Sequence, residues 1–275
     1  MQKTNFSVEI CIGEDDSTDG TREICKKYAK KYPEKIRLFL RNRSDKIFIE
    51  GHETGRYNFI ETLKKCKGKY IALCDGDDFW IDPLKLQKQF DYLETNSDVS
   101  LCYHKVESGT RKIDENIYKI KNDLSTAFIP TSSVVFVNKK EIINKIKNHV
   151  VNIISADQYL FYLCTFIGKV ELMDFVGGVY NQTENSISKS IGIQSKKWRI
   201  NRILMYSTLL TISPMKNKVT LIKVAQNSLF NAMAYGIIDP FIKYPFHSLK
   251  IIIFGLIFYP RYTLYKGKSL LNNKW

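Results

Sequence analysis

Three short apolar runs, SVEICIG (7–13), IRLFL (36–40) and YIALC (70–74), are separated by stretches that each leave room for one helix. No other feature of the sequence restricts the fold as much. TREICKKYAKKY (21–32) sets Ile24, Cys25, Tyr28 and Tyr32 on one helical side, with Thr18 or Asp19 ahead of it as a cap. A second helix is expected near 56–66, and a third from Asp82 with Pro83 in its first turn. Strands alternating with helices imply an α/β fold with a mostly parallel central sheet flanked by helices. Such sheets bind ligands beyond the carboxyl ends of their strands.

Acidic clusters stand at two of those ends. GEDDSTDGT follows the first run, and DGDD (75–78) follows the third. Like charges this close repel, so each cluster needs water or a cation. A solvated turn would account for DGDD alone. Two acidic loops expected at one edge of one sheet favour a divalent cation with oxygen ligands, Mg2+ or Mn2+, shared with a diphosphate. Neither GxGxxG nor GxxxxGK[ST] occurs, which weighs against a dinucleotide or P-loop site.

Composition narrows the setting. With 44% hydrophobic residues in 275, the chain can bury one large core or two modest ones. Its six cysteines include no CxxC pair, and Cys11, Cys74, Cys102 and Cys164 lie in apolar runs, so neither a zinc site nor a disulfide framework is expected. Met1 is followed by polar QKTN, unlike a secretory leader, and the expected compartment is a reducing cytoplasm.

The net charge of +14 is concentrated at one end. From Lys196 to Trp275 thirteen Lys or Arg face one acid, Asp239, so this stretch holds +12 of the total. Its charges alternate with apolar runs such as SLKIIIFGLIFYPRYTLYKGK, a mixture better suited to an anionic membrane surface than to nucleic acid. Ile251–Tyr259 is shorter than the roughly 20 residues a bilayer span requires. An interfacial helix, with Tyr262, Tyr265, Trp275 and the lysines at headgroup level, and a core helix of a small helical subdomain are both open readings.

Three segments in order, GEDDSTDGTREI, KGKYIALCDGDDFWIDPLKLQKQ and SADQYLFYLCTFIGKVELMDFVGGVYN, resemble the motifs of the family 2 glycosyltransferases over roughly residues 6–190. The resemblance implies the GT-A nucleotide-diphospho-sugar transferase fold in a domain covering 1–190, followed by a basic, partly apolar helical tail at 191–275. Family members begin with a further strand, a Pro-Thr-Tyr-Asn-like loop and a helix, so this chain is expected to be N-terminally shortened. By resemblance, Glu14 and Asp15 hold nucleobase and ribose. Asp77 is the metal ligand, Asp75 lies near the metal or ribose, Asp78 supports them, and Asp157 in SADQYL is the general base. At VYNQTENSIS (179–188) relatives often carry an arginine and a histidine where this chain offers Asn181 and Thr183.

The chemistry suits those residue types. Sugar transfer from a nucleotide diphosphate builds charge on the leaving diphosphate, which a metal at Asp77 would stabilise. An acceptor hydroxyl must lose a proton as it attacks, so a carboxylate within reach is required, and one displacement inverts the anomeric carbon. From local sequence alone Asp157 reads equally as part of a helix cap with Ser155. Arg56 is either a phosphate neutraliser or an exposed helix-start arginine. His52 and His104 are either ligands or merely hydrogen-bonded, and Thr131, Ser132 and Ser133 are acceptor-side groups or strand-edge hydroxyls.

The expected activity is metal-dependent inverting transfer from a nucleotide-diphosphate sugar, UDP-linked, to a glycan or lipid-linked acceptor in bacterial surface polysaccharide synthesis. The expected partners add an anionic membrane, placing the chain peripherally at the inner face of the cell membrane, or a second copy in a homodimer. The alternative is an inactive glycosyltransferase-like fragment that binds a partner or membrane. Nucleic-acid binding by the tail is a third, disfavoured class.

Overall fold

The structure, a computed structural model, describes residues 2–49, 51–108, 115–119, 124, 127–181, 196–235 and 238–272. The chain divides into two compact units, one of Met1–Lys119, Phe128–Asn152 and Ile167–Thr183, the other of Ile120–Ala127, Ile153–Phe166 and Glu184–Trp275.

In the first unit, β1 (Ile10–Glu14) crosses through α1 (Thr21–Lys31) to a parallel β2 (Ile36–Leu40), with Ile10 opposite Ile36 and Glu14 opposite Leu40. A parallel pair requires such a crossover. Asp19 helps start α1, its carboxylate accepting the Thr21 N–H at 3.1 Å, while Gly20 holds φ at 89°. The expected apolar side of α1 packs only in part. Cys25 and Tyr32 are half-buried, whereas Ile24 and Tyr28 are exposed. The charged stretch after β2, whose sequence reads as a loop, contains a hairpin, β3 (Ile47–Ile49) with β4 (His52–Thr54), turned at Gly51 with φ 84°.

After α2 (Arg56–Leu63) come β5 (Tyr70–Ala72), β6 (Phe79–Trp80), α3 (Lys85–Thr95), β7 (Val99–Ser108), β8 (Val135–Val137), α4 (Lys140–His149) and β9 (Lys169–Tyr180). Five of these strands form one sheet in the order β5-β8-β7-β9-β6. The fold is α/β as expected, but this sheet is mixed. Only β7 and β9 run parallel, and the other three pairings are antiparallel. The sequence could not show that β8 returns between β5 and β7. The two acidic loops, expected at one edge of one sheet, follow strands of different sheets, since β1 belongs to the two-stranded sheet and β5 to the five-stranded one. At its centre β7 buries Leu101, Cys102 and Tyr103 completely, and α3 contributes Leu86 and Leu93 from one face.

The second unit is helical: α5 (Ala156–Ile167), α6 (Lys196–Ile212), α7 (Met215–Tyr235), α8 (Asp239–Lys243), α9 (Pro245–Phe258) and α10 (Pro260–Asn272). Its core includes Ile203, Tyr206, Leu210, Ile222, Leu229 and Ile251. Gly255 lets α9 close on α7 and α10. A Cβ there would lie 1.7 Å from the Gln226 Nε2, which donates at 2.5 Å to the Thr263 hydroxyl.

Gly255→Ala sets two effects against each other. Alanine gains about 1 kcal/mol of helix propensity, whereas overpacking costs about 1–3 kcal/mol and should win because Gln226 and Thr263 are both buried. Urea unfolding is expected to show a net loss of stability, partly recovered in Gly255→Ala with Gln226→Ala. A stabilised single variant would refute the close packing.

Candidate active site

The chain leaves β5 at Ala72 and turns sharply at Asp75–Asp78, where the Asp78 N–H donates to the Asp75 carbonyl at 3.2 Å. The turn divides the crowded carboxylates. Asp75 and Asp77 face solvent, whereas Asp78 is 9% exposed. One Asp78 oxygen accepts the Asn181 N–H at 2.9 Å, and the other is buried without a hydrogen-bond partner. Burial pushes the Asp78 carboxyl up, against the Asn181 amide and the Ser132 hydroxyl beside it, and the neighbouring Asp77 adds to the rise.

Behind the turn lies a group of side chains that the sequence did not single out. Trp80, next to the acids, donates from Nε1 to the Ser132 carbonyl at 2.8 Å. The Lys85 amine is fully buried 3.9 Å from the Trp80 ring centroid. Gln89, one turn further along α3, donates to the Ser133 carbonyl at 2.9 Å and the Cys102 carbonyl at 3.3 Å. The short 3-10 turn Thr131–Ser133 is thus gripped from two sides, and the Ser133 hydroxyl donates back to Pro130 at 2.6 Å. Lys85 and Gln89 share the buried helix face at an i,i+4 spacing, which was visible as a pattern, but polar residues there read as solvent-facing.

Burial drives the Lys85 amine from 10.5 down to about 7, with the Cys74 thiol opposing. The Trp80 face returns part of the lost hydration by cation–π attraction. His104 is likewise a core group. Its Nδ1 lies 2.7 Å from the Lys105 carbonyl, and a Cβ on Gly177 would come within 2.7 Å of its Nε2. Burial, helped by Lys85, lowers His104 to about 4, which keeps the ring neutral.

At the end of β1, Glu14 is buried and engaged. It accepts the Ser17 N–H at 2.6 Å and pairs with Arg22, which also bonds the Arg41 carbonyl and lies 3.0 Å from Asp16. Burial alone would raise Glu14, but the Ser17 amide and Arg22 hold it below the usual value. Asp16 takes a left-handed φ of 70°, which aspartate tolerates. Asp15 instead borders a shallow pocket with Arg41, Lys46, Thr54, Tyr57 and Asn58. Lys46 stands 3.7 Å from Asp15, and two Arg41 guanidinium nitrogens are buried without hydrogen-bond partners. Asp45 and Asn42 complete the lining, so two carboxylates balance two cations beside a phenol, and the pocket suits a polar ligand. Arg56 opens α2 and is buried at 9% exposure, which excludes the exposed reading.

In the second unit, Asp157 occupies the first turn of α5, where the helix dipole favours a carboxylate. Ser155 takes the cap position, its carbonyl accepting the Tyr159 N–H and its hydroxyl accepting Trp198 Nε1 at 3.1 Å. Asn181 supplies the amide to Asp78, while Thr183 lies outside the described residues. Among the described residues no three His, Cys, Asp or Glu side chains converge as a ready-made cation cage.

Residues 1–148 match the model of "Glycosyl transferase family 2". An uncharacterized protein of Mycobacterium bovis is 32% identical over 219 residues, covering 76% of this chain and 60% of that protein. The chain therefore spans about 60% of the length of the leading curated relatives it matches. A putative teichuronic acid biosynthesis glycosyltransferase of Bacillus subtilis, TuaG, is 32% identical over 89 residues, or 32% of this chain and 31% of TuaG. Among solved structures, residues 1–349 of Staphylococcus aureus TarS, in complex with UDP-GlcNAc, superpose with a TM-score of 0.59 at 14% identity, over 91% of this chain and 72% of that one. That likeness establishes a common fold.

Lys85 carries its own pH test. Between about pH 7 and 10.5 the unfolded chain holds a proton on Lys85 that the folded chain has lost, so folding is favoured increasingly as pH rises through that window. Urea unfolding at pH 7 and pH 10 should show wild type gaining about 1–4 kcal/mol relative to Lys85→Met. A gap independent of pH would mean that the amine is not desolvated.

Proposed function

The chain belongs to glycosyl transferase family 2, and from that premise we propose that it transfers a sugar from a UDP-linked donor to a glycan or lipid-linked acceptor of a bacterial surface polysaccharide, inverting the anomeric carbon. The observation that carries this reading is the Asp75–Asp78 turn, which holds two carboxylates out at a strand end and anchors the third. The UDP-GlcNAc bound by TarS and the teichuronic acid pathway named for TuaG support the donor and acceptor classes.

Asp77 and Asp75 would hold Mg2+ or Mn2+, because two exposed carboxylates leave most of an octahedral oxygen shell to water and diphosphate. Such an ion supplies positive charge where the departing diphosphate becomes negative. Asp78, fixed by the Asn181 amide, keeps the turn in shape. Asp15, with Arg41 and Lys46 along its pocket, is assigned to the nucleoside and its phosphates. Glu14 orders the same loop through Arg22 rather than facing the ligand, and buried Arg56 adds positive charge at the start of α2. Asp157 is assigned to accept the proton of the attacking hydroxyl.

Titration of the full chain with UDP, with and without manganese, tests the donor site. Binding should need the ion and weaken roughly 100-fold in Asp77→Asn, as expected when a charge-stabilising ligand is lost. Ion-independent binding, or an unchanged Asp77→Asn, would sink the metal assignment, and no nucleotide binding at all would favour a non-catalytic member of the family. For Asp157→Asn, kcat should fall about 10²–10⁴-fold with nucleotide affinity retained. Full turnover by that variant would remove Asp157 from the mechanism.

A further inference from the structure

Helix α9 is apolar around nearly its whole circumference, yet only one flank is covered. Ser248, Ile251 and Gly255 are buried. The other flank carries Phe246, Leu249, Ile253, Leu256 and Ile257, all exposed, with Phe246 at 84% and Ile257 at 65%. Spacings of three, four, three and one residues wind these five into a single stripe. The neighbouring helices also expose large apolar side chains, Ile242 on α8 and Leu264 and Tyr265 on α10. A helix of this composition is normally enclosed by protein or by lipid.

The charges near the stripe identify its partner. Residues 238–272 contain Lys243, Lys250, Arg261, Lys266 and Lys268 against Asp239 alone, and Asp239 already pairs with Lys196. Lys250 on α9 is half-buried, its amine donating to the Thr211 hydroxyl at 2.9 Å, whereas Lys243, Arg261 and Lys268 on the neighbouring helices are exposed, with stems long enough to follow an apolar surface while the charges reach headgroups. A two-fold interface between copies of this chain would press that basic rim against itself without acids to answer it. An anionic surface is complementary. At 14 residues α9 is about 21 Å long, short of the roughly 30 Å hydrocarbon core, and no described helix is long and apolar enough to cross a membrane.

We propose that α9 lies flat in the interface of an anionic lipid bilayer, with Phe246, Leu249, Ile253, Leu256 and Ile257 facing the acyl chains and the neighbouring lysines and arginine at the phosphates. This goes beyond sugar transfer and is read without it, so a failure of the donor assignment leaves it standing.

The test is co-sedimentation of the full chain with vesicles of phosphatidylcholine alone or mixed with phosphatidylglycerol, at low and high salt. Wild type should bind the anionic vesicles, at least about tenfold more weakly at high salt or without phosphatidylglycerol. Ile253→Asn with Ile257→Asn should lose about tenfold or more of that binding while keeping the wild-type unfolding midpoint. If the pair compromises folding, Phe246→Ser, in the first turn, should show the same direction. Absence of vesicle binding by wild type overturns the proposal. So does undiminished binding by the folded variants, or a dimer in sedimentation equilibrium that these substitutions convert to monomer.

Discussion

The Lys85–Trp80 contact is the constraint around which the first unit's candidate site is organised. An amine buried without a hydrogen-bonding partner is costly, and the aromatic face is the compensation the structure provides. That requirement fixes the Trp80 ring, and with it the strand that follows the acids directly. Because the Trp80 indole also holds the Ser132 carbonyl, and Gln89 on the same helix face holds that of Ser133, one helix positions both the acidic turn and the hydroxyl-bearing turn beside it.

The Asp75–Asp78 turn resolves like-charge crowding by geometry. Three carboxylates on adjacent positions cannot all be solvated equally, and the backbone bond from Asp78 to Asp75 turns one of them inward. Its buried oxygen without a partner would cost about 1–3 kcal/mol or more if it carried full charge. The Asn181 amide limits that cost while leaving Asp78 shifted toward its neutral form. The two outward carboxylates therefore feel less repulsion from the third than the sequence spacing implies. A turn built this way is arranged for a cation at the exposed pair rather than for a cage of three.

Much of this was legible in the sequence where pattern and chemistry coincide. The periodicities of 21–32 and 36–40 matched α1 and β2 within a residue, and the acids after YIALC marked the turn before its hydrogen bonds were known. What was not legible depends on contacts remote in sequence. The return of β8 beside β5 turned an expected parallel sheet into a mixed one, because strand order is not encoded in local alternation. The burial of Lys85, Gln89, Arg56 and Glu14 was invisible for the same reason. A charged or amide side chain is read as exposed unless its partner is known, and for Lys85, Gln89 and Glu14 the partners are an indole, two carbonyls and an arginine eight positions away. The β3–β4 hairpin was missed because charges at Glu53 and Lys46, which pair across it, made the segment resemble a loop.

The helical unit applies the opposite rule to its charges. In the first unit several cations are matched by nearby carboxylates: Arg22 by Glu14 and Asp16, Arg37 by Glu9, Lys69 by Glu94. Beyond residue 195 there is one acidic side chain for thirteen cations, a net charge of +12 on that stretch. Self-repulsion on that scale disfavours the compact state unless something external offsets it. An apolar stripe in the same segment would, in water alone, add a second unfavourable term. A surface that is both negatively charged and apolar beneath relieves both at once, which is why the two anomalies are better explained together than as separate accidents of composition.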